Sequence, residues 1–192
     1  MNARAKVRVA IGLVALVLIT AVACGGSNEE PAENPATMVG SKAPQLSGPN
    51  LAGDGTVDLA ELTGKPTVVA FWLYACPHCK AFIPALQDAW NEASPDANLV
   101  TVGMEYDDPS TIEPDEGYES PEAFIASTGL TFPTVTGTFS TEAATWHLQS
   151  TPTVFVIGPD GTITAAFDGE PDPQEILDAV ASCSACGAEE TG

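Results

Sequence analysis

Basic residues are scarce in this 192-residue chain. Six Lys and Arg stand against 26 Asp and Glu, a formal charge of −20. Such a surface repels phosphate backbones, which excludes nucleic acid as a partner. Histidine is scarcer still, at two residues. Long apolar runs are missing as well. Residues 9–23 are apolar apart from Thr20, a little short of the ~20 residues a spanning helix needs. Regular carboxylate spacing is also absent. Between Glu105 and Glu122 acidic residues and prolines alternate irregularly, without an EF-hand ladder, so this stretch reads as a solvated loop rather than a calcium site. Cysteine is limited to Cys24, Cys76, Cys79, Cys183 and Cys186. That is two Cys-x-x-Cys pairs with one cysteine left over, and two cysteines do not make a four-ligand zinc site. What remains is a chain long enough for one domain with a sizeable core.

The first pair carries the chemistry. Residues 67–73, Thr-Val-Val-Ala-Phe-Trp-Leu, form the β-branched and aromatic run of a buried strand. After Cys76-Pro77-His78-Cys79 comes a helical stripe of Phe82, Ile83, Leu86, Ala89 and Trp90. The cysteines therefore lie at a strand-to-helix turn, with Pro77 at the position proline favours in a first helical turn. Unpaired N–H groups at a helix N-terminus stabilise negative charge and so favour the thiolate, the reactive form of cysteine. Cys76 is expected outermost as the attacking sulfur, with Cys79 buried as the resolving thiol. His78 adds a donor, and a cation when protonated.

The rest of the chain punctuates clearly. Residues 1–8 hold three positive charges, the apolar stretch follows, and small residues precede Cys24. This is the pattern of a secretory signal over 1–23; an uncleaved membrane anchor is the alternative. Losing Arg4, Lys6 and Arg8 with the signal leaves three basic residues against 26 acidic ones, a charge of −23. Residues 24–38 lack an apolar pattern and read as a flexible tether. The domain is expected over 39–182. It starts with a hairpin turn at residues 53–57 and a short helix over 59–62 that Asp58 caps and Gly64 ends. Strand 67–73, helix 77–93 and strand 98–104 follow. Ser120-Pro121 opens a helix to about Thr128, and a helix over 141–148 holds Trp146 and His147. Strands over 152–157 and 162–167 flank the turn Pro159-Asp160-Gly161. A last helix runs from Asp172-Pro173 to Ser182, and 183–192 is a tail with the second cysteine pair.

Taken with strand, helix and the later Thr151-Pro152, the Cys76-Pro77-His78-Cys79 run resembles the active site of the thioredoxin superfamily. The stretches 39–44 and 151–157 resemble its TlpA/ResA/DsbE-like extracytoplasmic branch, while the Pro-His dipeptide is the one found in DsbA oxidases. The resemblance covers roughly residues 39–182. It implies an α/β thioredoxin-like fold, a mixed sheet with helices on both faces, extended by an N-terminal hairpin and the acidic insertion. It implies thiol–disulfide exchange with protein thiols or disulfides, no cofactor and no metal, and a membrane redox partner of the DsbD/CcdA or DsbB/VKOR kind. Pro152 is implied to be the cis-proline facing the cysteines, preceded by Thr151. Its implied role is to leave backbone groups open to an extended substrate chain and to keep metal off the thiols. Ala21-Val22-Ala23-Cys24 resembles a bacterial lipobox, with Ala21 where Leu is commoner. Lipidation of Cys24 would anchor the domain outside the cytoplasm, where disulfides persist.

The direction of exchange leans to oxidase or isomerase over reductase. Stabilisation of the Cys76 thiolate by His78 favours the reduced pair, hence an oxidase or isomerase. Thioredoxins carry a buried Asp where this chain has Ala70, which weakens a thioredoxin-like reductase, whereas the surrounding sequence resembles the ResA reductases of cytochrome c maturation. Cys183 and Cys186 could be a second redox pair, a local structural disulfide or two free thiols. An oxidising compartment favours the disulfide, and the topology places it far from Cys76. Two rivals share the fold. A thiol peroxidase would need Thr or Ser at Leu73 and Pro at Val69. A Sco-like copper chaperone would need a wider cysteine spacing and a distant His, for which His147 is the spare imidazole; soft thiolates would suit Cu(I).

Overall fold

The computed structural model describes residues 33–111 and 119–186. A hairpin of β1 (Ser47–Pro49) and β2 (Thr56–Asp58) precedes a five-stranded sheet. The strands of that sheet are β3 (Thr67–Leu73), β4 (Asn98–Glu105), β5 (Thr134–Thr138), β6 (Thr153–Ile157) and β7 (Ile163–Asp168), in the spatial order β5-β4-β3-β6-β7. The β3, β4 and β5 strands run parallel, while β6 and β7 are antiparallel additions. β3 is central and all seven of its residues are buried, which is why it reads as a continuous apolar run rather than an alternating one.

The period of two along β3 divides the core. Val68, Ala70 and Trp72 face α1 (Pro77–Ala93), α2 (Pro121–Thr128) and α4 (Pro173–Cys186), meeting Phe82, Ile83, Leu86, Phe124, Ile176 and Val180. Val69, Phe71 and Leu73 face the other way, toward α3 (Phe139–Trp146) and the N-terminal elements, meeting Trp146, Met38, Leu46 and Leu59. The helices therefore cover both faces, as expected. Gly103 in β4 makes room for this packing, because a Cβ there would lie 2.8 Å from the Trp72 ring.

Strand β3 and helix α1 have the expected bounds, and Asp58 caps the 3-10 turn Leu59–Leu62 through its side chain. Four boundaries differ. The tether expected through residue 38 ends earlier, since Asn34 caps a 3-10 turn, Pro35–Met38, that buries Pro35 and Met38. Gly40 N–H then donates to the Ile163 carbonyl, tying the segment to β7. The β5 strand was not anticipated. Its sequence, Thr-Val-Thr-Gly-Thr, has a single strong apolar residue, and it forms because β4 offers a parallel edge. Helix α3 starts at Phe139 rather than at 141 and ends at His147, which adopts φ 52° as the left-handed cap. Helix α4 continues through the expected tail boundary at 182 to Cys186, because Cys183 extends its buried stripe of Ile176 and Val180.

Residues 1–32, which include the expected signal and Cys24, lie outside the described residues, as do 112–118 of the acidic insertion and the tail from 187. Among the described residues no helix is long and apolar enough to cross a membrane.

Candidate active site

Cys76 is the N-cap of α1 and Pro77 its first residue. The β3 strand delivers the chain to this point, and Cys76 N–H donates back to the Leu73 carbonyl, closing the turn. Cys76 is half-buried and Cys79, one helical turn in, is fully buried; both are free thiols. The assignment of outer and inner sulfur made from the sequence thus matches the burial. The Thr151–Pro152 peptide is cis, and Cys76 Sγ lies 3.5 Å from the Thr151 carbonyl. Two segments 75 residues apart meet at one sulfur.

The electrostatics separate the two thiols. Cys76 is lowered from 9.0 to about 5, chiefly by the hydrogen bond donated from the Cys79 thiol. Partial burial opposes this, and the Thr151 side chain and the backbone N–H groups of Cys79 and His78 add to it. The Thr151 carbonyl acts the other way, since only the protonated thiol can donate to it; the several donors outweigh this one acceptor. Cys79 is pushed far up, first because its proton is held by the Cys76 sulfur, then by burial. One sulfur is the anion and the other is its proton donor, the division of labour an attacking and a resolving thiol require.

His78 departs from the expectation. Its backbone N–H supports the Cys76 thiolate, but its imidazole is exposed, with Nδ1 2.9 Å from Glu170 Oε2. Glu170 stands in the loop between β7 and α4, 92 residues away. No motif in the sequence signals it. Tyr106, just after β4, is a second unanticipated neighbour. Its phenol is raised by burial first and then by the Cys76 and Cys79 sulfurs, and its ring meets Tyr74 edge-on at 5.3 Å. Ala70 is fully buried in the cluster that contains Cys79, so the place of an internal carboxylate is filled by a methyl group.

Cys183 does not join the site. Cys183 sits near Gly158, where a Cβ would lie 3.5 Å from its Sγ, and Gly158 follows the end of β6 opposite Thr153. This is the end of the sheet away from Cys76. Cys183 is a free, buried thiol. The helix places it among apolar neighbours of α4 and β6 rather than in an exposed tail; the Cys186 side chain lies outside the described residues. The His147 ring contacts Thr37 Oγ1 at 3.2 Å and Glu33 at 3.8 Å. Among the described residues no group of three or more His, Cys, Asp or Glu is placed to hold a metal ion.

A family model for the AhpC/TSA family matches residues 39–166. The chain belongs to the AhpC/TSA family. Within reach of this AhpC/TSA domain are the thiol:disulfide interchange protein DsbE of Pseudomonas fluorescens, 30% identical over 98 residues, and the thiol-disulfide oxidoreductase ResA of Oceanobacillus iheyensis, 26% identical over 159 residues. The matches cover 51% and 81% of this chain, and 52% and 78% of the relatives. The chain thus spans about half the length of the Pseudomonas protein. A secreted disulfide oxidoreductase of Mycobacterium tuberculosis superposes with a TM-score of 0.55 at 24% identity, over 72% of this chain and 96% of that one. The AhpC/TSA domain here therefore has the thioredoxin-like fold. Leu73 and Val69, where a peroxidase would carry a hydroxyl and a proline, are both packed into the core.

Proposed function

We propose that this protein is a thiol-disulfide oxidoreductase that exchanges disulfides with protein substrates through Cys76 and Cys79. The observation that carries the reading is the polarised pair itself: a half-exposed sulfur lowered to about 5 beside a buried thiol that donates to it. In the oxidising direction a substrate thiolate attacks Cys76 Sγ of the Cys76–Cys79 disulfide, and Cys79 leaves and takes a proton. A second substrate thiolate then attacks the substrate sulfur of the mixed disulfide, and Cys76 leaves as a thiolate. The substrate loses two electrons and the pair gains them. The reverse sequence reduces a substrate disulfide. The Thr151 carbonyl beside Cys76, which loses its thiol donor when Cys76 is a thiolate or a disulfide, offers an acceptor to an extended substrate backbone.

Oxidation or isomerisation is the favoured direction, because a stabilised thiolate stabilises the reduced pair and makes the disulfide the stronger oxidant. The competing reading is a ResA-like reductase. The domain acts outside the cytoplasm, held to the membrane by a lipid on Cys24 and serviced by a membrane redox partner; the signal-like leader supports the anchor, and the similarity to a secreted oxidoreductase of Mycobacterium tuberculosis supports the location. A Sco-like copper role is disfavoured by the two-residue cysteine spacing and by His147, whose ring is engaged with Thr37.

The test is a trapping experiment. Offered a substrate disulfide, Cys79→Ser should accumulate a mixed disulfide in which Cys76 has displaced one substrate sulfur as a thiolate and which cannot be resolved internally, and Cys76→Ser should form none. The wild-type disulfide should oxidise a dithiol peptide faster than the reduced protein cleaves insulin disulfides. Equal accumulation by both serine variants would rule out the pair as the exchange centre; faster insulin cleavage would reverse the direction.

A further inference from the structure

The His78 imidazole has a partner that the exchange reaction does not require. It sits at the second residue of α1, two residues from the thiolate, yet its Nδ1 is hydrogen-bonded to Glu170 across the mouth of the site. Both side chains are solvent-exposed, His78 at 72% and Glu170 at 44%. The pair therefore contributes little to holding the fold together, and its effect falls on what lies beside it. Cys76 already receives its donors from Cys79 and from backbone N–H groups. An imidazole released from Glu170 would be one further donor within reach of the same sulfur, neutral or cationic.

We propose that Glu170 is a positioning residue for the thiol pair: by taking Nδ1 of His78 it holds the imidazole off the Cys76 sulfur and keeps the oxidising power of the pair below what a free imidazole would set. This rests on the reading of Cys76 and Cys79 as an exchange centre. The turn between β7 and α4 carries the control, and the Pro-His dipeptide acts through its backbone while Glu170 is in place. Removing the carboxylate frees the ring to donate to the thiolate, which stabilises the reduced form.

The experiment is the redox equilibrium of the protein with glutathione, read at neutral pH and physiological salt, where charges beyond ~8 Å are screened. Thiolate ultraviolet absorbance is titrated in parallel, and circular dichroism verifies the fold. Five proteins are compared: wild type, Glu170→Gln, His78→Ala, the double variant and Glu92→Gln. Glu170→Gln should shift the equilibrium toward the reduced pair by roughly two- to fivefold, the scale of an exposed charged hydrogen bond. The thiolate titration should move to lower pH. In the His78→Ala background the same substitution should have little effect, since the ring it positions is gone. Glu92→Gln, at the exposed far end of α1, is the remote-charge control and should match wild type. An unchanged equilibrium in Glu170→Gln would overturn the proposal, and so would an equal shift with and without His78, which would mark Glu170 as a bulk charge. A wild-type protein that does not equilibrate with glutathione at all would instead overturn the exchange centre on which the proposal stands.

Discussion

A thiol lowered to about 5 is almost wholly thiolate at neutral pH, and this has a direct chemical signature. Alkylation of the reduced, folded protein should rise with pH, reach half its maximum near 5 and level off by about pH 7. All of the label should be on Cys76. The unfolded chain should instead show its midpoint near 9, the ordinary value. Peptide mapping after timed alkylation checks this, and a folded midpoint above about 7, or label on Cys79, would contradict the division between the two sulfurs. At this scale the motif was legible and the side-chain directions were not. The strand, the proline and the spacing placed Cys76 outside and Cys79 inside. His78 was expected to support the thiolate as a nearby donor or cation; its backbone N–H does support it, while its imidazole is on Glu170. Adjacency in sequence does not say which way a side chain turns, and Glu170 arrives only when β7 brings its following loop to the mouth of the site.

Among the elements, the N-terminal turn has the clearest energetic consequence. Pro35–Met38 looked like tether because its composition is small and polar, with one Met. In the fold, Asn34 caps it and Met38 joins Val69, Phe71 and Ile163 beneath the sheet. Met38→Ala should lower the stability of the domain by about 2–3 kcal/mol, at the lower end of the range for large-to-small core changes. The urea midpoint should fall without a change in slope. A loss below about 0.5 kcal/mol would mean that the turn merely rests on the surface. The β5 strand was missed for the complementary reason. Five residues with a single strong hydrophobe carry no period of their own, and only the parallel edge of β4 pulls them into register. Strands β3 and β4 were legible because being covered on both faces requires an unbroken apolar run.

For the whole molecule, the polarised pair links stability to pH and to redox state. Between the folded value near 5 and the ordinary value near 9, the unfolded reduced chain holds a proton on Cys76 that the folded chain lacks. Stability of the reduced form therefore rises with pH across that window, and the contribution is lost as pH falls through 5. Above about 9 the sign reverses, because the unfolded chain releases the Cys79 proton that the fold retains. The oxidised protein has neither thiol. The difference in Tm, reduced minus oxidised, should accordingly be larger at about pH 8 than at about pH 5. Calorimetry of the two forms checks it, and a difference independent of pH would mean that the Cys76 thiolate is no better stabilised folded than unfolded.

The amino-acid sequence by itself determined the candidate nucleophile, the strand and helix that present it, the proline opposite and the layered α/β class. Each of these is local, or depends on a short-range pattern of apolar residues and turn formers. Tertiary structure decided where β5, the Pro35–Met38 turn and the end of α4 belong, because those segments have weak patterns and are held by surfaces formed elsewhere in the chain. It also decided the surroundings of the sulfur. Thr151 and Glu170 reach the first turn of α1 from 75 and 92 residues away, and Cys183 is carried to the opposite end of the sheet, because β7 and α4 run in opposite directions across it. Through-space electrostatics acts between atoms that the fold alone makes neighbours, and spacing along the chain does not encode it.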